Sequence, residues 1–181
     1  MRAFLGISVP NVLKTRIFRV QEKFYKFDVK LVEKENLHFN LRFFGEMEEE
    51  KINKVKVVLE KVATQFKPFE VNISGIGAFP SKNYVKVVWL GVKEGLQTFK
   101  ALEEMISNSL ITLGFEKDSR FVPHLTLGRV RSGRNKNEIM ALMEKLEDVE
   151  IGKMKIDKIN IFQSKLTPKG PVYEEVFKIE L

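Results

Sequence analysis

Two apolar rhythms share this chain between them, and their alternation limits the folds open to it. In residues 48–66, Ile52, Val55, Leu59, Val62 and Phe66 recur every three to four positions, the spacing of a helix with one buried stripe. The same period predicts a helix opening at Pro10-Asn11 with Leu13, Ile17, Val20 and Phe24 inward. It predicts another through Leu96, Phe99, Leu102, Ile106 and Leu110, stopped at Gly114, and a short one over 138–146. Between these lie runs rich in β-branched and aromatic residues that read as strands: 2–9, 27–32, 37–44, 69–79, 84–92, 121–130, 154–166 and 172–181. Pro80-Ser81-Lys82-Asn83 turns 69–79 into 84–92, and residues 167–171 link the last two strands. Hairpins interspersed with helices predict an α+β fold, with helices on a largely antiparallel sheet system. With 181 residues and no long linker, residues 1–181 are expected to form one domain, or two small lobes sharing a core.

Composition narrows the chemistry. The chain has no cysteine, which excludes a disulfide framework, a thiol nucleophile and Cys-ligated zinc. The apolar runs are strand-sized, and the one at the N-terminus is too short for a signal sequence, so a cytoplasmic location is expected, with no membrane partner. The net charge of +7 suits an anionic partner and equally suits solubility. Abundant lysine and glutamate with little glutamine is a usage found in proteins from hot environments.

The chain's two histidines stand in one repeated pattern. His38-Phe39-Asn40-Leu41 and His124-Leu125-Thr126-Leu127 both read His-x-polar-Leu, each in a predicted strand. Alternation places His38 and Asn40 on one face and their apolar neighbours on the other, and does the same for His124 and Thr126. One imidazole can accept a proton while a second donates one, and short polar groups between them can hold non-bridging phosphate oxygens. A lone histidine in a strand is usually structural; it is the pairing that favours catalysis. No His-Glu-x-x-His spacing, no Walker loop and no acidic cluster near either histidine is present, so neither metal nor cofactor is expected.

These motifs and their surroundings resemble the two-histidine phosphoesterases, most closely the RNA 2′,3′-cyclic phosphodiesterase (2′-5′ RNA ligase-like, LigT-like) branch, whose members carry two His-x-Thr-x motifs. Matching features run through nearly the whole chain. They include Met1-Arg2-Ala3-Phe4, Phe43-Phe44-Gly45, Gly77-Ala78-Phe79-Pro80 before Val87-Val88-Trp89, Gly128-Arg129-Val130, and the stretch 164–173. The resemblance implies two antiparallel sheets with outer helices, related by a pseudo-two-fold axis around a central groove. It implies metal-independent hydrolysis of RNA 2′,3′-cyclic phosphate ends to 2′-phosphomonoesters, with His38 as proton donor and His124 as proton acceptor. With a 5′-hydroxyl RNA, such as a tRNA half, in place of water, the same site would reversibly make a 2′-5′ linkage. The expected partner is RNA with 2′,3′-cyclic phosphate ends, and the expected state a monomer. Asn40 departs from the family, which has threonine there.

Other residues carry two readings each. Arg129 resembles the family's substrate arginine, yet strict alternation puts it on the wrong face, so a bulge or the strand end must turn it inward. Arg42 shares the face of His38 by alternation and is a candidate phosphate contact, or else a surface ion pair. Phe44 and Phe79 are candidate base-stacking platforms or core residues. Lys82, Lys86, Arg120, Arg131 and Arg134 are candidates for the groove mouth or ordinary solvated charge. Two other functions stay open: a phosphodiesterase for small cyclic phosphates, and a non-catalytic RNA- or nucleotide-binding protein.

Overall fold

The computed structural model describes residues 1–117, 120–168 and 170–181. Lys169, in the turn expected between the last two strands, lies outside the described residues. The elements follow in the order β1 (Arg2–Ser8), α1 (Asn11–Glu22), β2 (Val29–Leu31), β3 (His38–Glu46), α2 (Glu49–Ala63), β4 (Phe69–Ser81), β5 (Tyr84–Val92), α3 (Leu96–Leu110), β6 (Leu125–Val130), α4 (Lys136–Lys145), β7 (Glu150–Ile156), β8 (Lys158–Thr167) and β9 (Gly170–Glu180). The α+β architecture expected from the two apolar periods is present. The stripes bury as predicted: Ile52, Val55, Leu59 and Val62 from α2, and Phe99, Leu102, Ile106 and Leu110 from α3. No helix among the described residues is long and apolar enough to cross a membrane.

All registered strand pairs are antiparallel, in the order β7-β4-β5-β6-β3-β1-β8-β9, with β2 beside β6. The two expected sheets are in fact the two halves of this one ladder. They join between β6 and β3 through a single registered pair, Phe39 with Leu125. Helix α1 follows β1 in one half but packs against β6 and β7 of the other, tying the halves together. A continuous hydrophobic cluster runs through both, with Phe39, Leu41, Leu125 and Leu127 at its middle.

Most strand ends fall within two residues of expectation, and two boundaries differ by more. Residues 154–166 are not one strand: β7 ends at Ile156 and β8 begins at Lys158. The buried positions Met154 and Ile156 are two apart, and the next, Ile159, is three further on. At that slip the chain leaves β4 at one end of the sheet for β1 and β9 near the other. Nor does β6 begin at residue 121. It starts at Leu125, so His124 stands just ahead of the strand, behind Pro123, which has no N–H to give to a ladder.

Candidate active site

The seam between the halves builds the site. Phe39 and Leu125 are fully buried opposite one another. Continuing their register by one residue each way sets His38 across from Thr126 and Asn40 across from His124. All four line one cavity of about 280 Å³, together with Arg129, Lys30, Glu33, Phe43 and Tyr173.

Both imidazoles are held in the same way. His38 Nδ1 lies 2.6 Å from the carbonyl oxygen of Asn36, and His124 Nδ1 lies 2.7 Å from that of Val122, two residues back in each case. A carbonyl only accepts, so Nδ1 carries the proton in both rings and each neutral Nε2 keeps its lone pair. Burial holds both imidazoles below the usual histidine range, outweighing the stabilising carbonyl bonds. The charges of Lys14 and the other histidine add to the effect at His38, and that of Arg129 adds to it at His124. At neutral pH the site therefore presents two bases.

Aromatic rings fix the imidazole planes. Tyr173 meets His38 edge-on at 5.3 Å between centroids, and Phe79 meets His124 edge-on at 4.8 Å. Phe4 lies 4.8 Å from His38 on another side. The Asn36 side chain donates to the Pro171 carbonyl at 2.7 Å, which ties the β8–β9 hairpin to the loop that holds His38.

Each motif ends in a bulge. In β3, Gly6 pairs with Asn40 but Leu5 with Arg42, leaving Leu41 as an extra residue. In β6, Trp89 pairs with Thr126 but Val88 with Gly128, leaving Leu127 extra. A bulge inverts the alternation beyond it. Arg129 is thereby turned into the cavity, as the bulge alternative required. The first bulge has the opposite consequence for Arg42, correcting the expectation that it shares the face of His38. Its guanidinium bonds Ser107 Oγ at 3.2 Å and the Glu116 carbonyl, and lies over the Phe115 ring. It lines a neighbouring hollow instead of the cavity, and Phe43, the next residue, takes the place beside the histidines.

The whole cavity thus rests on residues distributed from β2 to β9, and the match to known proteins is as broad. A family model described as the 2′-5′ RNA ligase superfamily matches residues 9–167. The chain belongs to that superfamily. A protein of Methanothermobacter thermautotrophicus named RNA 2′,3′-cyclic phosphodiesterase is 39% identical over 183 residues, covering 99% of both chains. One of the same name from Methanocaldococcus jannaschii is 39% identical over 178 residues, covering 97% of this chain and 98% of its own. A crystal structure of a Thermus thermophilus protein superposes with a TM-score of 0.84 at 26% identity, covering 100% of this chain and 98% of that one.

Within this member of the 2′-5′ RNA ligase superfamily, Asn40 faces the cavity with its amide oxygen buried and without a hydrogen-bond partner. Phe44 is half-buried against Phe115 and does not line the cavity, whereas Phe79 lines the neighbouring hollow. None of the five suggested rim cations lines the cavity. Arg120 lines the neighbouring hollow, Lys82 pairs with Glu147 at 3.1 Å, and Lys86 lies over the Tyr84 ring. The cation that sequence reasoning missed is Lys30, which pairs in register with Arg129 across β2 and β6. By alternation Phe43 emerges only through the bulge; otherwise it and Tyr173 are marked only by the family-like stretches Phe43-Phe44-Gly45 and 164–173. Among the described residues, no three His, Cys, Asp or Glu side chains converge as metal ligands do.

Proposed function

We propose that this protein hydrolyses RNA 2′,3′-cyclic phosphate ends, leaving 2′-phosphomonoesters, with its own side chains as acid and base. The observation that carries this reading is the mirrored pair of imidazoles. Both have Nδ1 committed to a carbonyl, and both line one cavity with Arg129. The family of the chain and the names of its relatives supply the substrate class.

In the proposed step, His124 Nε2 takes a proton from water as its oxygen attacks phosphorus. The bond to the 3′ oxygen breaks in line, and His38, protonated at Nε2, gives that oxygen its proton. Thr126, Asn40 and Arg129 bind the non-bridging oxygens. His38 must therefore be charged before it acts, and the bound anionic phosphate supplies the field that raises its pKa. The hollow beyond His124 and Phe43, bordered by Phe79 and Arg120, lies on the side of the proposed base. This favours a second reaction, in which an RNA 5′-hydroxyl replaces water there and a 2′-5′ linkage results.

The test is turnover of an oligoribonucleotide ending in a 2′,3′-cyclic phosphate, in EDTA, with phosphorus NMR identifying the product. The 2′-phosphate is expected, and His38→Ala and His124→Ala should each lose at least about a thousandfold in kcat while still binding the RNA. Inactivity of the wild type, or turnover of cyclic mononucleotides as fast as of RNA, would transfer the site to another substrate or to a binding role.

A further inference from the structure

Gln21 is a fully buried polar residue on the last turn of α1, remote in sequence from both histidine motifs. Its Nε2 donates two hydrogen bonds of 2.9 Å, one to the Val32 carbonyl and one to the Leu127 carbonyl. Only the amide nitrogen can serve two carbonyls, so its orientation is determined. Leu127 is the extra residue of the β6 bulge, and its carbonyl also accepts from Val32 N–H at 2.9 Å. A bulged residue drops out of the regular ladder and leaves its polar groups to find other partners. Gln21 and Val32 together occupy both lone pairs of that carbonyl. The bulge they close is the one that puts Thr126 and Arg129 on the same side of β6 despite their three-residue spacing.

We propose that Gln21 is a positioning residue: by clamping the Leu127 bulge to the end of β2, it holds Arg129 at the phosphate site beside His124. It touches neither substrate nor histidine and acts through backbone geometry. Without its two bonds, the buried Leu127 carbonyl keeps only its bond from Val32 N–H and the part-buried Val32 carbonyl loses its amide donor, and a register that irons out the bulge becomes competitive. In that register Arg129 points away from the cavity. The inference rests on the proposed reaction for its effect on rate, but not for its effect on Arg129 and His124.

The test compares Gln21→Met, which keeps the length and loses the donors, with Gln21→Glu, which retains one donor when protonated. Both are set beside Arg129→Ala and the double variant Gln21→Met/Arg129→Ala. For folded Gln21→Met, kcat/KM is expected to fall about ten- to a hundredfold, with Arg129→Ala adding little further loss in the double variant. Gln21→Glu should show a smaller loss of the same kind, and it gives the reading if the methionine variant does not fold. Independently of any activity, the His124 imidazole should titrate at higher pH in Gln21→Met and in Arg129→Ala, because both remove the guanidinium charge from its side. The inference is overturned if Gln21 variants melt earlier yet keep wild-type kcat/KM and an unchanged His124 titration. Losses that multiply in the double variant would also overturn it. A wild type inactive on cyclic phosphate RNA, with His124 still shifted by Gln21→Met, would sink the proposed reaction and leave the clamp standing.

Discussion

Phe39 and Leu125, each the residue after a histidine, pair with one another across the middle of the sheet and are both completely buried. Their equivalence places the pseudo-two-fold axis between them. An antiparallel pair maps onto itself under such an axis, so what β3 presents to the groove β6 presents again, reversed. This explains why each histidine faces the polar residue of the other motif. It also makes the seam, with its single registered pair, the element that spaces the imidazoles. Leu125→Ala should therefore cost about 2–4 kcal/mol in denaturant unfolding, the usual result of a buried leucine truncation. The folded variant should in addition lose activity; wild-type kcat with only lowered stability would show that the seam does not set the histidine spacing.

The two bulges predict opposite behaviour for two arginines. Arg129→Ala should weaken RNA binding, lower kcat/KM about ten- to a hundredfold, and flatten the salt dependence of affinity by about one ion. Arg42→Ala should leave the salt slope and kcat near wild type and cost about 1–2 kcal/mol of stability, because its bonds to Ser107 and Glu116 are internal. Salt titrations of both variants, with melting curves alongside, separate the roles. Equal changes in slope would mean that Arg42 reaches the RNA after all.

Gly6 offers a test of how closely His38 is seated. A Cβ at that position would lie 2.8 Å from the Phe39 carbonyl oxygen and 3.2 Å from His38 Cδ2. The first contact is with backbone at the seam and cannot yield cheaply. Gly6→Ala should thus lower kcat at least tenfold and shift the His38 NMR resonances, while those of His124 stay nearly in place.

Asn40→Thr should be tolerated. The amide oxygen is a buried acceptor with no partner, so its removal relieves a desolvation cost of about 1–3 kcal/mol. The threonine hydroxyl still donates to a phosphate oxygen. An unchanged or raised melting temperature and a kcat within a few-fold of wild type are expected. A tenfold drop in kcat would show that the groove is built around the amide.

How far the site is legible in the sequence depends on periodicity. Helix stripes and the faces of His38, Asn40 and Thr126 follow from regular repeats, and the regular parts of the fold obey them. Alternation fails wherever an extra residue enters a strand, and nothing in Leu41 or Leu127 marks them as bulged. That is why alternation puts Arg42 on the wrong wall, passes over Phe43, and leaves Arg129 unresolved until β5 and β6 are in register. Lys30 is invisible for a different reason: β2 is three residues long, and its pairing with β6 is a tertiary fact. The Gln21 clamp spans 106 residues and shows no local pattern at all.

Both imidazoles titrate below the ordinary histidine range, first because they are buried and then because of neighbouring charge. Catalysis as proposed needs one of them neutral and one charged in the free enzyme that goes on to react. The profile of kcat/KM against pH should then be a bell whose centre lies below about pH 6.5, since a bell is centred between its two limbs. In kcat the bell should move to higher pH, because the bound phosphate anion favours the charged imidazole. Stability carries the same signature with a definite sign. Well above about pH 6.5 both rings are neutral in the folded and unfolded chains and contribute nothing. As pH falls below that value the unfolded chain takes up protons that the folded one refuses, so stability declines until the lowered folded values are passed. Replacing both histidines with glutamine should remove this part of the acid decline, and adding inorganic phosphate should reduce it. Urea unfolding at intervals between about pH 4.5 and 8 measures it, since the lowered imidazole values place the window below about pH 6.5. A double variant whose stability falls as steeply with acid as the wild type's would show that neither histidine is held neutral by the fold.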